Sequence, residues 1–115
     1  MRVKASGHRR YGDAAVEAGQ AGRQVVEFCR NADIYNVLVV LNLSGRLSAI
    51  DSFEIVDQSK DYGWDVNFKL AFVETNEASA NDVRFTETIA VNRAYSVRHF
   101  TDEAEAIVWL LDGER

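Results

Sequence analysis

The chain has 115 residues, of which 47% are hydrophobic and 27% charged, and its formal net charge is -5. This length and balance predict a single domain, spanning residues 1–115, with its own core. The composition excludes a disordered chain, and no apolar run reaches the ~20 residues that cross a bilayer. The negative charge argues against nonspecific nucleic-acid binding, which needs clustered basic residues.

The start of the chain and its cysteine content bear on location. Met1 is followed by RVKAS, which is not the apolar stretch of a secretory signal peptide. Cys29 is the sole cysteine, so an internal disulfide is excluded, and we expect it to be a small core residue. Together these features predict a cytoplasmic protein without membrane insertion.

The first two elements are a strand and a helix. Residues 1–6 alternate as a short strand does, and the strand is expected to end at Gly7. A helix follows from Asp13, a candidate N-cap. Its apolar positions recur every three or four residues and predict one inner face: Ala14, Ala18, Ala21, Val25, Phe28 and Ala32. Gly19 and Gly22 inside it indicate either close packing against another backbone or a weak helix.

Residues 37–41 form an unbroken aliphatic run, which predicts a central parallel strand covered on both faces. The second helix is expected to run from Ser48 or Ala49 to Tyr62, with Gly63 as its C-terminal stop. Its predicted buried stripe is Ile50, Phe53 and Val56.

The second half of the chain repeats this alternation. The pattern predicts a strand over residues 67–74, a helix over residues 79–92 with Phe85 and Ile89 one turn apart, and a strand over residues 96–100. Thr101 is the predicted cap of a last helix. The inner face of that helix includes Ala106, Trp109 and Leu110.

The predicted order is therefore βαβαβαβα, and connections of helix length require parallel strands with right-handed crossovers. We predict an α/β domain with a small, mostly parallel four-stranded sheet. If residues 1–6 form an edge strand with unpaired backbone groups, pairing with a second copy would cover them, which predicts a homodimer.

Two segments resemble a known family. VLNLSGRLSAIDS, residues 40–52, resembles the strand, loop and helix of STAS domains, the anti-sigma-factor-antagonist family. Residues 84–110 resemble the C-terminal part of its SpoIIAA-like members, with these matches: Phe85, Glu87, Ala90, Asn92, Arg93, Val97, Phe100, Asp102, Glu103, Glu105, Ala106, Trp109 and Leu110. The resemblance implies a STAS-like fold and a noncatalytic regulatory or protein-interaction role.

In the family that the chain resembles, a partner kinase phosphorylates a serine at the start of the second helix. The resemblance implies Ser52, beside Asp51, as a phosphosite and partner contact. The chain departs from the family pattern because Phe53 stands where the regulated members carry their modified serine, and Gly45 adds a residue to the loop. The residues themselves favour a simpler role, in which Ser48, Asp51 and Ser52 cap the helix.

Arginines follow the first two predicted strands. Arg9 and Arg10 follow the first strand, and Arg46 follows the second. Since ligands usually meet parallel sheets at the carboxyl ends of the strands, these side chains could hold an anion or an acidic partner surface. They could equally serve only to keep the loops soluble. His8 and His99 lack the spacing of a metal site, so no metal or cofactor is expected.

Three functions are open from the sequence. The preferred one is a STAS-like domain that meets a protein partner. The second is a domain for a small apolar or anionic ligand, because the SpoIIAA-like group is also similar to lipid-transfer domains of the CRAL-TRIO type; the ligand would need a cavity between helices and sheet. The third is an enzyme that uses carboxylates, although the acidic residues in mid-chain mostly predict solvated faces: Asp57, Asp61, Asp65, Glu74, Glu77 and Asp82.

Overall fold

The computed structural model describes residues 1–9 and 13–112. Within these ranges the chain forms four strands, each followed by a helix, in the predicted order. The strands are β1 (Arg2–His8), β2 (Asn36–Ser44), β3 (Lys69–Glu74) and β4 (Ser96–Phe100). The helices are α1 (Ala14–Ala32), α2 (Ala49–Ser59), α3 (Glu77–Asn92) and α4 (Glu103–Leu111), and a 3₁₀ turn over Lys60–Tyr62 follows α2.

The sheet confirms the predicted α/β class. Its strands lie in chain order, β1-β2-β3-β4, and each neighbouring pair is parallel. β2 lies between β1 and β3, where Val39 pairs with Val3 on one side and Phe72 on the other. The aliphatic run at residues 37–41 is therefore the central strand that it predicts. β1 lies at an edge of the sheet, and its pairing with a second copy stays a prediction.

Helices cover both faces of the sheet. Right-handed crossovers between neighbouring parallel strands place successive helices on the same side, and α1, α2 and α3 share one face while α4 covers the other. Alternation divides each strand between the two layers. The side chains on the α1–α3 side include Val37, Val39, Leu70, Phe72 and Val97, and those on the α4 side include Leu38, Val40, Ala71, Val73 and Phe100.

An aromatic cluster packs on the α1 side of the sheet, next to the amino-terminal ends of the strands and the last turns of α1. The rings of Trp64 and Phe68 stack at 4.5 Å between centroids, and Tyr35 packs against Phe68 at 5.3 Å. Cys29 is buried beside them, as predicted for a core residue, and its Sγ lies 3.6 Å from Met1 Sδ. Burial raises the pKa of the Cys29 thiol. This end of the layer is therefore closely packed.

The opposite face is closed by α4. Ala106 and Leu110 are buried against Leu38, Ala71 and Val73, so the predicted inner face of this helix is confirmed for both. The half-buried ring of Trp109 packs on Phe100 at 5.8 Å, and the Lys69 ammonium lies 4.5 Å from the centroid of the Trp109 ring. The cap of α4 differs from the prediction, because the side chain of Asp102, not Thr101, accepts the hydrogen bond of the Ala104 N–H.

The predicted inner faces of α1 and α2 are partly wrong. Phe28 is 53% exposed, and Ile50 and Phe53 are 70% and 47% exposed. Phe85 of α3 is exposed as well, although Ile89 is buried as expected. The residues that α1 and α2 bury are mostly small: Ala14, Ala15, Gly19, Val26, Cys29, Ser52, Val56 and Ser59. Small side chains occupy these positions because the helices lie close together. The buried serines have hydrogen-bond partners inside the protein.

Close packing explains the glycines of α1. A Cβ added at Gly19 would lie 2.7 Å from Gln58 Oε1, and one added at Gly22 would lie 2.5 Å from the Tyr62 hydroxyl. The neighbours of both glycines are therefore side chains and not the backbone that was predicted. Gln58 Nε2 also donates a 2.6 Å hydrogen bond to the carbonyl of Ala15, which ties α2 to α1.

Truncating a ring distinguishes the observed core from the predicted one. Phe68→Ala should lower the free energy of unfolding by about 3–5 kcal/mol, because the ring is fully buried. Phe28→Ala, the same change at the predicted but exposed position, should alter it by no more than about 0.5 kcal/mol. Urea unfolding measures both values. Equal losses at the two positions would contradict the observed exposure of Phe28 and burial of Phe68.

Candidate functional site

A cavity of about 360 Å³ lies between the sheet and the layer formed by α1, α2 and α3. Its sheet wall includes Val3, Ala5, Val39, Leu41, Leu70, Phe72 and Val97. Its helix wall is built from smaller groups, among them Ala14, Ala18 and Gly22 of α1, with Ile55 and Val56 of α2. Short side chains on α1 opposite branched ones on the sheet leave this space unfilled.

The cavity reaches solvent beside α1. Glu17 and Ala21 both line it, and both are exposed. At its other end lies the aromatic cluster, where Trp64 and Tyr62 form part of the wall. Burial raises the pKa of the Tyr62 hydroxyl, and the nearby Tyr95 acts in the same direction. The walls are thus mainly apolar, with a few polar groups at defined places.

Arg9 is a basic residue of the lining. It follows β1 at the carboxyl end of the sheet, where its backbone N–H donates to the carbonyl of Ser44 at 2.9 Å. Its Nη1 donates to the carbonyl of Gly45 at 3.1 Å and lies 3.5 Å from Ser79 Oγ. Burial lowers the pKa of the Arg9 guanidinium, while the carboxylates of Glu74 and Asp82 act in the opposite direction. The guanidinium is therefore half-buried at the edge of an apolar space.

Glu74 is only 1% exposed, and its carboxylate acts electrostatically on the Arg9 guanidinium. Its Oε1 accepts a 2.8 Å hydrogen bond from the Asn76 N–H, whereas its Oε2 is buried without a partner among the described residues. Glu74 is thus an exception among the mid-chain acidic residues, which were predicted to lie mostly on solvated faces. Its alternation with Leu70 and Phe72 is the signal that could have revealed its inward position.

Asp82 is a second carboxylate that lies inward, and it engages Arg46. Arg46 Nε and Nη2 donate to the two carboxylate oxygens at 2.8 and 3.1 Å, and the Leu47 N–H donates to Oδ2 at 3.0 Å. The hydrogen bond from Arg46 is the main reason why the pKa of Asp82 is lowered, and the Leu47 N–H adds to it. Arg46 itself is 76% exposed, so its guanidinium is held from one side and open to solvent on the other.

The predicted contact residues do not share one environment. Ser52 is fully buried, and Thr86 Oγ1 donates to its Oγ at 2.9 Å, so a kinase could reach it only if α2 moved away from α3. Phosphorylation of Ser52 stays a prediction. Asp51 is half-buried at the start of α2, and its N–H donates to Ser48 Oγ at 3.1 Å, which confirms Ser48 as a cap. Arg10 lies outside the described residues.

Other site types find no support in the described ranges, 1–9 and 13–112. Three or more His, Cys, Asp or Glu side chains placed to hold a metal ion do not occur there. In the same ranges, the helices are too short or too polar to cross a membrane.

Comparisons with protein-family models, curated proteins and solved structures give no match for this chain. The resemblance to STAS domains therefore stays a prediction.

Asp82 should make the stability of the domain depend on acid pH. A carboxyl group whose pKa is lower in the folded than in the unfolded chain stabilises the fold above its unfolded pKa of ~3.9, and this contribution is lost as the pH falls through the folded pKa. Asp82→Asn should lower the free energy of unfolding by about 1–3 kcal/mol at pH 7, since it weakens the contacts with Arg46 and Leu47.

Urea unfolding of wild type and Asp82→Asn at pH 7, 5 and 3 measures this effect. The difference between their free energies of unfolding should be smallest at the lowest pH. Asp57→Asn is the matched control, because Asp57 pairs with Arg93 on the surface. Its effect should be smaller at pH 7. A gap for Asp82→Asn that widens towards pH 3 would contradict the assigned direction of the pKa.

Proposed function

We propose that this domain binds a small ligand with an apolar body in the cavity between the sheet and helices α1 to α3. The observation that carries the proposal is the cavity itself, a space of about 360 Å³ with mainly apolar walls. Small-molecule sites are typically concave spaces of roughly 300–1,000 Å³ with apolar walls and a few placed polar groups.

The energetics of packing support this proposal. Protein interiors are close-packed, and unfilled core space costs roughly 24 cal/mol per Å³. This cavity is open to solvent beside α1, so its empty form exposes apolar walls to water, and an apolar ligand would offset that exposure by contact with the walls. The lining runs along the α1 layer, from Arg9 at the carboxyl ends of the strands to Trp64 in the aromatic cluster.

Access to the cavity also supports binding. Because Glu17 and Ala21 are exposed lining residues, a ligand could enter beside α1 without unfolding of the sheet. Arg9 and Glu74 provide polar groups near the carboxyl end of the strands, where ligands of parallel sheets usually bind. The site thus combines an apolar interior with a polar end.

Filling the cavity should abolish binding. Ala18→Leu places a larger side chain in the space, and we expect it to weaken binding of a neutral naphthylamine dye at least tenfold with little loss of stability. Ala32→Leu, the same change at an exposed position of α1, should leave binding unchanged. Dye fluorescence titration measures affinity, and thermal unfolding monitors folding. Wild type that binds neither the dye nor any alkyl ligand would contradict the proposed function.

A second candidate function is the interaction role that the STAS resemblance implies, and an exposed aromatic pair favours it. Phe53 of α2 and Phe85 of α3 meet edge to face at 5.9 Å on the surface, with Ile50 also exposed on α2. Aromatic side chains are enriched at the centres of protein interfaces. The helix face that carries this pair is the surface on which a protein partner would bind.

Replacing one ring tests this second function. Phe53→Ser should reduce, by tenfold or more, the recovery of a partner co-purified with the tagged protein from its native host. Val108→Ser changes an exposed apolar residue on α4 and should leave recovery intact. Quantitative mass spectrometry of the purified fractions compares the two. Equal recovery with both variants would exclude the aromatic pair as the partner surface.

A further inference from the structure

A buried carboxylate oxygen without a partner among the described residues lies next to the polar end of the cavity. Glu74 Oε2 has none among the described residues, although buried polar groups in folded proteins are nearly always hydrogen-bonded. Glu74 alternates with Leu70 and Phe72, both of which line the cavity, and it pairs in register with Leu41, which lines it as well. The carboxylate therefore lies on the cavity side of β3, two residues beyond Phe72, which is a lining residue of this strand.

Arg9 supplies a donor at the same end. Arg9 lines the cavity, and its Nη1, which carries two of the five N–H donor groups of the guanidinium, donates to the Gly45 carbonyl. Nη1 also lies 3.5 Å from Ser79 Oγ at the start of α3, while Glu74 Oε1 accepts from Asn76 just before it. The Arg9 guanidinium and the Glu74 carboxylate therefore both lie next to the junction between β3 and α3.

Both Glu74 and Asp82 act electrostatically on Arg9, but Asp82 is already paired with Arg46, whereas Glu74 forms no ion pair among the described residues. An anionic head group would meet the Glu74 carboxylate, and a cationic one would meet the Arg9 guanidinium, at short range in a poorly solvated space. A hydroxyl group avoids both conflicts. It accepts a hydrogen bond from an arginine and donates one to a carboxylate oxygen.

We propose that the ligand is an uncharged amphiphile, with an alkyl body in the cavity and a hydroxyl head between Arg9 and Glu74 Oε2. This inference rests on the proposed ligand-binding function. The cavity of about 360 Å³ accommodates about a dozen non-hydrogen atoms at the ~30 Å³ that a water molecule takes in the liquid, which is the size of a medium-chain alcohol.

Three decyl ligands test the head group on the wild-type protein. 1-Decanol should bind at least tenfold more tightly than decyl methyl ether, which is neutral and accepts hydrogen bonds but has none to donate. It should also bind more tightly than decanoate at pH 7.5. Displacement of the naphthylamine dye measures all three affinities. Equal affinity for decanol and the ether would overturn the assignment of a hydroxyl head, while binding of both would leave the proposed function standing.

Two variants test the effect of charge on binding. The ratio of two ligand affinities is compared between variant and wild type, so that the differing solubility of the ligands cancels. Glu74→Gln removes the negative charge while keeping the shape, so the ratio of decanoate to decanol affinity should rise at least tenfold. Arg9→Gln removes the positive charge, so the ratio of decylamine to decanol affinity should rise by a similar factor. Thermal unfolding checks that each variant folds, and the comparison of alcohol and ether on wild type needs neither variant.

The outcomes distinguish the two proposals. Ratios unchanged in both folded variants would overturn the head-group assignment alone. If the dye and every decyl ligand fail to bind wild type, both the head-group assignment and the proposed function are wrong.

Discussion

The burial of β2 on both faces is the constraint on which the rest of the structure depends. A parallel strand between two neighbours cannot face water on either side, so helices must cover the sheet above and below. Adjacent residues of β2 then belong to different layers, with Val37 and Val39 towards α1 and Leu38 and Val40 towards α4. Every later feature, from the place of the cavity to the inward side chain of Glu74, follows from this division.

The two helix layers cover the sheet with side chains of different size. On the α4 side, Trp109 and Leu110 supply large side chains, and the helix lies directly on the strands. On the other side, α1 presents alanine and glycine to the sheet, and its close approach is to Gln58 and Tyr62 of the segment that follows along the chain. Contact between helices has therefore replaced contact between helix and sheet, and the cavity is the remaining space.

The order of elements and the central strand could be predicted from the sequence because each depends on local pattern. The inner faces of α1 and α2 could not be predicted. In the sequence, a stripe that includes Phe28 or Phe53 has a stronger apolar periodicity than the stripe of mainly small residues that these helices bury. Which face a helix buries depends on its neighbours, and the partner of Ser52 is a threonine 34 residues away. For the same reason the sequence predicted neither the buried carboxylate of Glu74 nor the cavity beside it.

The sequential strand order makes the domain a series of similar units, in which β1 and α1 form the first and contact little beyond the second. Such an end unit can open without disrupting the sheet between β2 and β4, so its amides should exchange hydrogen faster than those of the central strands. The cavity lies at the seam between this unit and the remainder. A ligand bound there would contact both β1–α1 and the rest of the domain and would hold them together. Hydrogen exchange of the β1 amides should then be slower in the presence of the ligand.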